Sequence, residues 1–317
     1  IYPPFNAVIM EEYTQKSGNF IEFFYDTQKG SNISVRGLDY KSGDNILSSG
    51  KILTEFDIAG IATLGIKNVK VYRKPKVSIL NTGNELISLG NKPKLNQKIN
   101  TNGIMLHSLL ENSGIDVNTL DLVPDNIEKI KEKLISNIKS SDAIIVTGGT
   151  AVSDRDLVID SIKKAGGKIL VRGISLRPAR PTGSSILDGK PVFTLSGNPV
   201  ACAIGCIFFA LPVLQKMFSI PVSNPNVIKG VLTSRVSCPP NFRCFVRVKI
   251  EKKNGVNMVK PIALKGAGIL NTLIRADGFL IIPENKEGFD QGETVSVQLF
   301  HNNMNIDFSK QNNGDMT

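Results

Sequence analysis

Three short stretches combine glycine, hydroxyl and carboxylate side chains in the order that anion and cation binding requires. They are Asn81-Thr82-Gly83-Asn84-Glu85, the run from Thr147-Gly148-Gly149-Thr150 through Ser153 and Asp154 to Asp156, and Leu195-Ser196-Gly197-Asn198-Pro199. Glycine lets the backbone approach an anion and take up φ > 0, hydroxyls and free N–H groups bind phosphate oxygens, and a nearby carboxylate can hold a divalent cation. A fourth stretch, Leu176-Arg177-Pro178-Ala179-Arg180-Pro181-Thr182-Gly183, puts two guanidiniums in a proline-bounded loop suited to a phosphate or another oxyanion. Each feature also has a plainer reading. A Gly-Gly pair after a strand makes a turn, Asp125 caps a helix, Glu85 pairs with a surface lysine, and Asp156 favours a helix start through the macrodipole. Taken together, Glu85, Asp125 and Asp156 beside glycine loops are more economically explained as a cation and phosphate site.

The elements that must position these residues alternate. From Lys76 the pattern predicts strands over 76–80, 117–123, 143–146 and 191–195, and helices over 101–112, 126–139, 157–164 and 200–217, with Asp125 as the N-cap of the second helix. Such alternation implies a mostly parallel sheet covered on both faces, in which loops at the carboxyl ends of the strands converge on one crevice. Residues 1–74 read instead as a partial β-rich domain, with short strand-like runs at 7–10, 19–24 and 32–35 and a helix over 56–65. Two prolines in 219–225 mark a linker, after which 220–300 reads as a small β domain with a hairpin turn at Asn254-Gly255. Residues 301–317 form a polar tail. The four domains predicted are therefore 1–74, 75–219, 220–300 and 301–317.

Composition narrows the chemistry. A chain of 317 residues with 41% hydrophobic and 21% charged residues is a soluble globular type, long enough for two or three domains. No apolar run approaches the roughly 18 residues of a membrane span, and the nearest, 200–214, contains a proline and reads as a buried helix. With no signal peptide in view, a cytoplasmic location is expected. The cysteines at 202, 206, 238 and 244 and the histidines at 107 and 301 have no metal-cassette spacing, and Cys202 and Cys206 fall one turn apart on an apolar helix as core residues. Acid–base or metal chemistry must then rest on Asp and Glu. The formal charge of +10 favours anionic partners. Lysines interspersed with acids, and few aromatics among the basic residues, point to anionic small molecules and away from nucleic acid.

At these same residues the chain resembles the molybdopterin molybdenumtransferase family, the MoeA proteins and the C-terminal domain of gephyrin. Asn81–Leu86 is similar to the family's Ser-Thr-Gly-Asp-Glu-Leu, Gly148–Asp156 to Gly-Gly-Val-Ser-Val-Gly-x-x-Asp, and Leu195–Val200 to Leu-Pro-Gly-Asn-Pro-Val. Pro178–Pro181 is similar to Pro-Gly-Lys-Pro, Val123–Asn126 to Val-x-Asp-Asp, and Ala276-Asp277-Gly278 to a motif of the C-terminal β domain. Asn84, Asn100, Asn126, Ala179 and Ser196 depart from the family pattern. The early Met-Asp-Gly-Tyr-Ala and Met-Thr-Gly-Ala motifs are absent, as expected of an N-terminally truncated piece.

The resemblance implies a three-layer αβα molybdopterin-binding domain flanked by an incomplete N-terminal domain and a C-terminal β-barrel-like domain. It also implies Mg²⁺-dependent insertion of molybdate into adenylylated molybdopterin, with release of AMP. Glu85, Asp125 and Asp156 would be catalytic, with Glu85 and Asp156 on the metal. Asp39, Thr82, Gly83, Gly148, Gly149, Thr150, Ser153, Arg177, Arg180, Ser196, Gly197, Asn198 and Pro199 would bind the molybdopterin substrate. A homodimer is implied, with contact to the protein that adenylylates molybdopterin. Two alternatives stay open: a non-catalytic molybdopterin-binding scaffold, and a hydrolase of nucleotide pyrophosphates on the same sheet.

Overall fold

Runs of β-branched and leucine residues that are apolar on both faces make the central strands. The computed structural model describes residues 4–148, 156–222, 224–262 and 268–300. Two units separate at residues 68 and 69.

In the first unit, a short hairpin pairs β1 (Thr14–Ser17) with β2 (Phe20–Phe23), and α1 spans Glu55–Thr63. Thr54 and Asp57 close a reciprocal capping box at the start of α1. The runs at 7–10 and 32–35 are not strands. Their neighbourhoods meet through isolated hydrogen bonds, such as the Val8 N–H to the Ser31 carbonyl at 3.0 Å, that do not extend into a ladder, and the backbone runs through turns and a 3₁₀ turn at Glu11–Tyr13. Ile61 is the one buried hydrophobic residue described in this unit, whereas Phe20, Phe23, Phe24 and Phe56 are exposed.

The second unit opens on the sheet. Strands β3 (Lys76–Thr82), β4 (Asp116–Val123), β5 (Ala143–Thr147) and, further along the chain, Lys190–Leu195 run parallel. Between them come α2 (Thr101–Glu111), α3 (Ile127–Ser140) and α4 (Leu157–Lys164). Strands β6 (Lys168–Arg172) and β7 (Gly183–Leu187) complete the sheet, so that Lys190–Leu195 is β8 and the order is β4-β3-β5-β8-β7-β6. β7 alone runs opposite in direction to the other five strands. Alternate residues of one strand feed opposite cores. Ala143 and Ile145 join Val77, Leu106 and Cys206, while Ile144 and Val146 join Leu80, Ile130 and Ile162. Each such Ile or Leu, once fully buried, contributes roughly 1.5–3 kcal/mol.

Asn126, not Asp125, caps α3: its side-chain oxygen accepts from the Lys129 N–H at 3.1 Å. The capping geometry needs the acceptor three residues before that donor, and Asp125 is drawn off by Asn84. The apolar helix runs 19 residues, Pro199–Met217, through a π-type turn at Cys206–Ala210. By length and composition alone it could cross a membrane, but Cys202, Cys206, Ala210 and Leu214 on one face belong to the sheet core. Burial pushes the Cys202 thiol up to about 12, and Cys206 higher still, so both stay protonated packing groups.

Five strands close into a barrel: β9 (Val227–Leu232), β10 (Arg243–Lys253), β11 (Val256–Pro261), β12 (Gly278–Ile282) and β13 (Thr294–Leu299). The β10–β11 turn has φ of 49° at Asn254 and 79° at Gly255, the conformation that an Asn-Gly hairpin favours. Closure pairs β11 with both β9 and β10, which removes the open edges. The pair Leu176–Arg177 adds to β10 in parallel, which ties the proline-bounded loop to the barrel. Cys238 and Cys244 are joined by a disulfide at the entry to β10, a pairing for which their spacing carried no signal.

Candidate functional site

The carboxyl ends of β3, β5 and β8 open on a cleft of about 820 Å³. Thr82, Gly83 and Glu85 line it from the first strand, Thr147 and Gly148 from the second, and Ser196, Gly197, Asn198 and Pro199 from the third; Asp125 stands at its wall. Parallel strands of matched register end at one level, which is why these loops meet. Gly148 has φ 94°, and a Cβ there would collide with the Thr82 carbonyl oxygen, so the β5 loop packs against β3 only with glycine at this point.

Asn84 and Asp125 are latched to each other. The Asn84 N–H donates to Asp125 Oδ2 at 3.3 Å, and the Asp125 N–H donates to Asn84 Oδ1 at 3.1 Å. The second Asp125 oxygen is buried without a partner among the described residues, as are Asn81 Oδ1, Thr82 Oγ1 and Asn102 Oδ1. Four oxygens left so on one cleft suit hydrogen-bond donors on a ligand or a hard cation. Asn81 belongs to a stretch singled out in the sequence but was given no role of its own, and Asn102 did not stand out, because an asparagine in a first helical turn reads as local structure.

Other expected site residues lie elsewhere. Asp156 is only 8% exposed and is the N-cap of α4, its Oδ1 accepting from the Val158 and Ile159 N–H groups at 3.1 Å each. Burial raises its pKa, and those two hydrogen bonds oppose the shift. It is not among the residues lining the cleft. Arg177 faces a second hollow of about 430 Å³ beside Arg247 and the Cys238–Cys244 pair, and Arg180 is exposed outside both hollows. Asp39 sits in a bend of the first unit and is exposed. Gly149, Thr150 and Ser153 lie outside the described residues.

The departures from the family pattern are structurally conservative. Asn84, Asn100 and Asn126 each use the side-chain oxygen as an acceptor for a backbone N–H, as an aspartate would. Ser196 Oγ accepts from the Asn198 N–H at 3.2 Å. Ala179 is the exception, a buried non-glycine residue at φ 123°.

Residues 78–216 match a family model described as a probable molybdopterin binding domain, and residues 229–300 match the MoeA C-terminal region, domain IV. A molybdopterin biosynthesis protein of Methanocaldococcus jannaschii is 36% identical over 302 residues, covering 93% of this chain and 72% of that protein. The chain belongs to the MoeA family. The molybdopterin molybdenumtransferase of Staphylococcus epidermidis is 30% identical over 298 residues, covering 94% of this chain and 71% of its own length. Two structures of the Pyrococcus horikoshii MoeA protein superpose with TM-scores of 0.77 and 0.71 at 30% and 32% identity, each covering 93% of this chain and 72% of that one. Membership confirms the expected family and the α/β fold with its barrel-like C-terminal sheet, and places the chain among enzymes of molybdenum cofactor biosynthesis.

Proposed function

We propose that this chain is a molybdopterin molybdenumtransferase, taking adenylylated molybdopterin and molybdate and releasing molybdenum cofactor and AMP. The observation that carries the reading is the single cleft in which Glu85 and Asp125 meet the Gly83, Gly148 and Gly197 loops. Phosphate oxygens of the substrate would lie on the N–H groups that begin the long helix at Pro199. Water attack at the adenylyl phosphorus breaks its bond to the bridging oxygen, so AMP leaves and molybdopterin keeps its own phosphate.

Among the described residues no group of three His, Cys, Asp or Glu side chains forms a complete metal cage. Mg²⁺ takes one or two carboxylates and completes its shell from phosphates and water. Glu85 and the unpartnered oxygen of Asp125 are the two carboxylate ligands the cleft offers, whereas Asp156, which caps α4 outside the cleft lining, is expected on the metal only from the family resemblance. When bound, such an ion polarises the phosphoanhydride and offsets charge on the leaving group. The resemblance gives Arg177 and Arg180 to phosphate or molybdate, although both stand outside the cleft lining, and Gly149, Thr150 and Ser153 would bind the substrate phosphate. The division into domains 1–74, 75–219, 220–300 and a tail, a cytoplasmic location, and contact with the adenylylating enzyme complete the reading. Asp39 would act across a homodimer, which the exposed aromatic residues of the first unit support.

Incubation of the chain with adenylylated molybdopterin, Mg²⁺ and molybdate should release AMP, read by chromatography. Glu85→Gln should slow that release about 100-fold or more, the scale of removing one charge-stabilising group. Release at an unchanged rate in Glu85→Gln would sink the assigned role.

A further inference from the structure

We infer that Asn102 is a positioning residue that sets the peptide planes of the Ser196-Gly197-Asn198 loop so that the Gly197 N–H faces the anionic part of the ligand. The inference rests on the cleft being the substrate site proposed above. Asn102 is the second residue of α2, yet it reaches two strand-end loops. Its Nδ2 donates to the Gly197 carbonyl at 2.9 Å and to Thr147 Oγ1 at 3.3 Å, and Thr147 Oγ1 donates to the Ser196 carbonyl at 3.0 Å. A trans peptide carries its N–H opposite its C=O. Holding the Ser196 and Gly197 carbonyls therefore turns the Gly197 and Asn198 N–H groups the other way.

The Asn198 N–H is occupied by Ser196 Oγ, and the Gly197 N–H makes no hydrogen bond among the described residues. It stands beside the first turn of the helix from Pro199, whose earliest N–H groups have no intrahelical acceptor and receive no side-chain cap from Asn198. The Gly197 carbonyl also fixes the orientation of the Asn102 amide, because only its NH₂ end can donate there. Asn102 Oδ1 is then the end left buried without a partner on the cleft side, and it can accept from the ligand. Gly197 packs against Gly148, with a Cβ on Gly197 reaching 3.4 Å from the Gly148 Cα, so a rotated peptide would be felt on both loops.

The test is binding of inorganic pyrophosphate to the whole chain by calorimetry, with pH varied, alongside AMP release by the unaltered chain. Asn102→Ala should weaken pyrophosphate about tenfold, the worth of a lost hydrogen bond to an oriented group. Thr147→Val, which keeps shape but frees the Ser196 carbonyl, should weaken it similarly. Asn102→Asp presents a carboxylate to the Gly197 carbonyl at neutral pH and should lose more. Its affinity relative to the unaltered chain should recover as pH falls and the carboxyl regains a donor proton, a recovery that general loosening of the loop would not give. Equal affinity in all four proteins overturns the inference while leaving the transferase reading intact if AMP is still released. A pH-independent loss in Asn102→Asp also overturns it. No pyrophosphate binding and no AMP release by the unaltered chain overturn both.

Discussion

A methyl group on Gly148 would meet the Thr82 carbonyl oxygen, and the φ of 94° there disfavours any L side chain. Gly148→Ala should lower the unfolding free energy by roughly 2 kcal/mol or more, read by urea denaturation, because backbone and not a pliant side chain has to move. Asp156 behaves differently. Its folded pKa is raised by burial, so its contribution to stability is full below the ordinary carboxylate range and is lost as pH rises through the higher folded value. Asp156→Asn keeps the cap acceptor without the buried charge. It should therefore match or exceed the unaltered chain in stability at pH 7, with the difference shrinking as pH falls, while Asp156→Ala costs about 1 kcal/mol through loss of the cap. If Asp156 also serves a cation, Asp156→Asn stops AMP release in a protein that is no less stable, the pattern expected where function is retained at a cost in stability.

At the scale of elements, α3 depends on Asn126 and the cleft wall on Asp125, two neighbours with separate duties. Asn126→Ala should destabilise the chain by about 1 kcal/mol and leave AMP release unchanged, read by thermal melting and chromatography together. The loop that joins the sheet to the barrel carries Ala179 at φ 123°, packed against Val200, Ile204 and Phe245. Ala179→Gly relieves a strain on the order of 1–3 kcal/mol but gives up a buried methyl and adds unfolded-chain entropy. The terms oppose, so a change within about 1 kcal/mol is expected. Ala179→Val, which stiffens the same strained position, should be much worse.

For the molecule as a whole, residues 1–68 leave Phe20, Phe56 and other large apolar side chains exposed and bury very little. Such a surface calls for a partner. Sedimentation should give a particle of twice the 34.4 kDa chain mass, and a monomer at micromolar concentration would contradict the proposed homodimer. Acid resistance of the second unit has an identifiable contributor. Arg73 donates two hydrogen bonds to Asp142, at 2.6 and 2.7 Å, and holds its carboxyl below the ordinary range. That contribution is present above the ordinary carboxylate pKa and is lost as pH falls through the depressed one. With Arg73 mostly exposed, its size is no more than about 1 kcal/mol.

The sequence by itself determined the central sheet, its helices and the meeting of three glycine loops, because period and turn chemistry are local. Lys76–Thr82, Ala143–Thr147 and Lys190–Leu195 are apolar on both faces, and only a sheet covered on both sides satisfies such strands. The strand ends then fall on one edge without further information. Tertiary structure alone decided which polar groups spend their hydrogen bonds on each other and which are left for a ligand. Asp125 was legible as a carboxylate but not as the partner of Asn84, 41 residues away, and Asn102 not at all, since its acceptor at Gly197 is 95 residues distant. A side chain's duty is fixed by the donor or acceptor that folding sets within about 3 Å of it. Spacing along the chain carries no record of that neighbour.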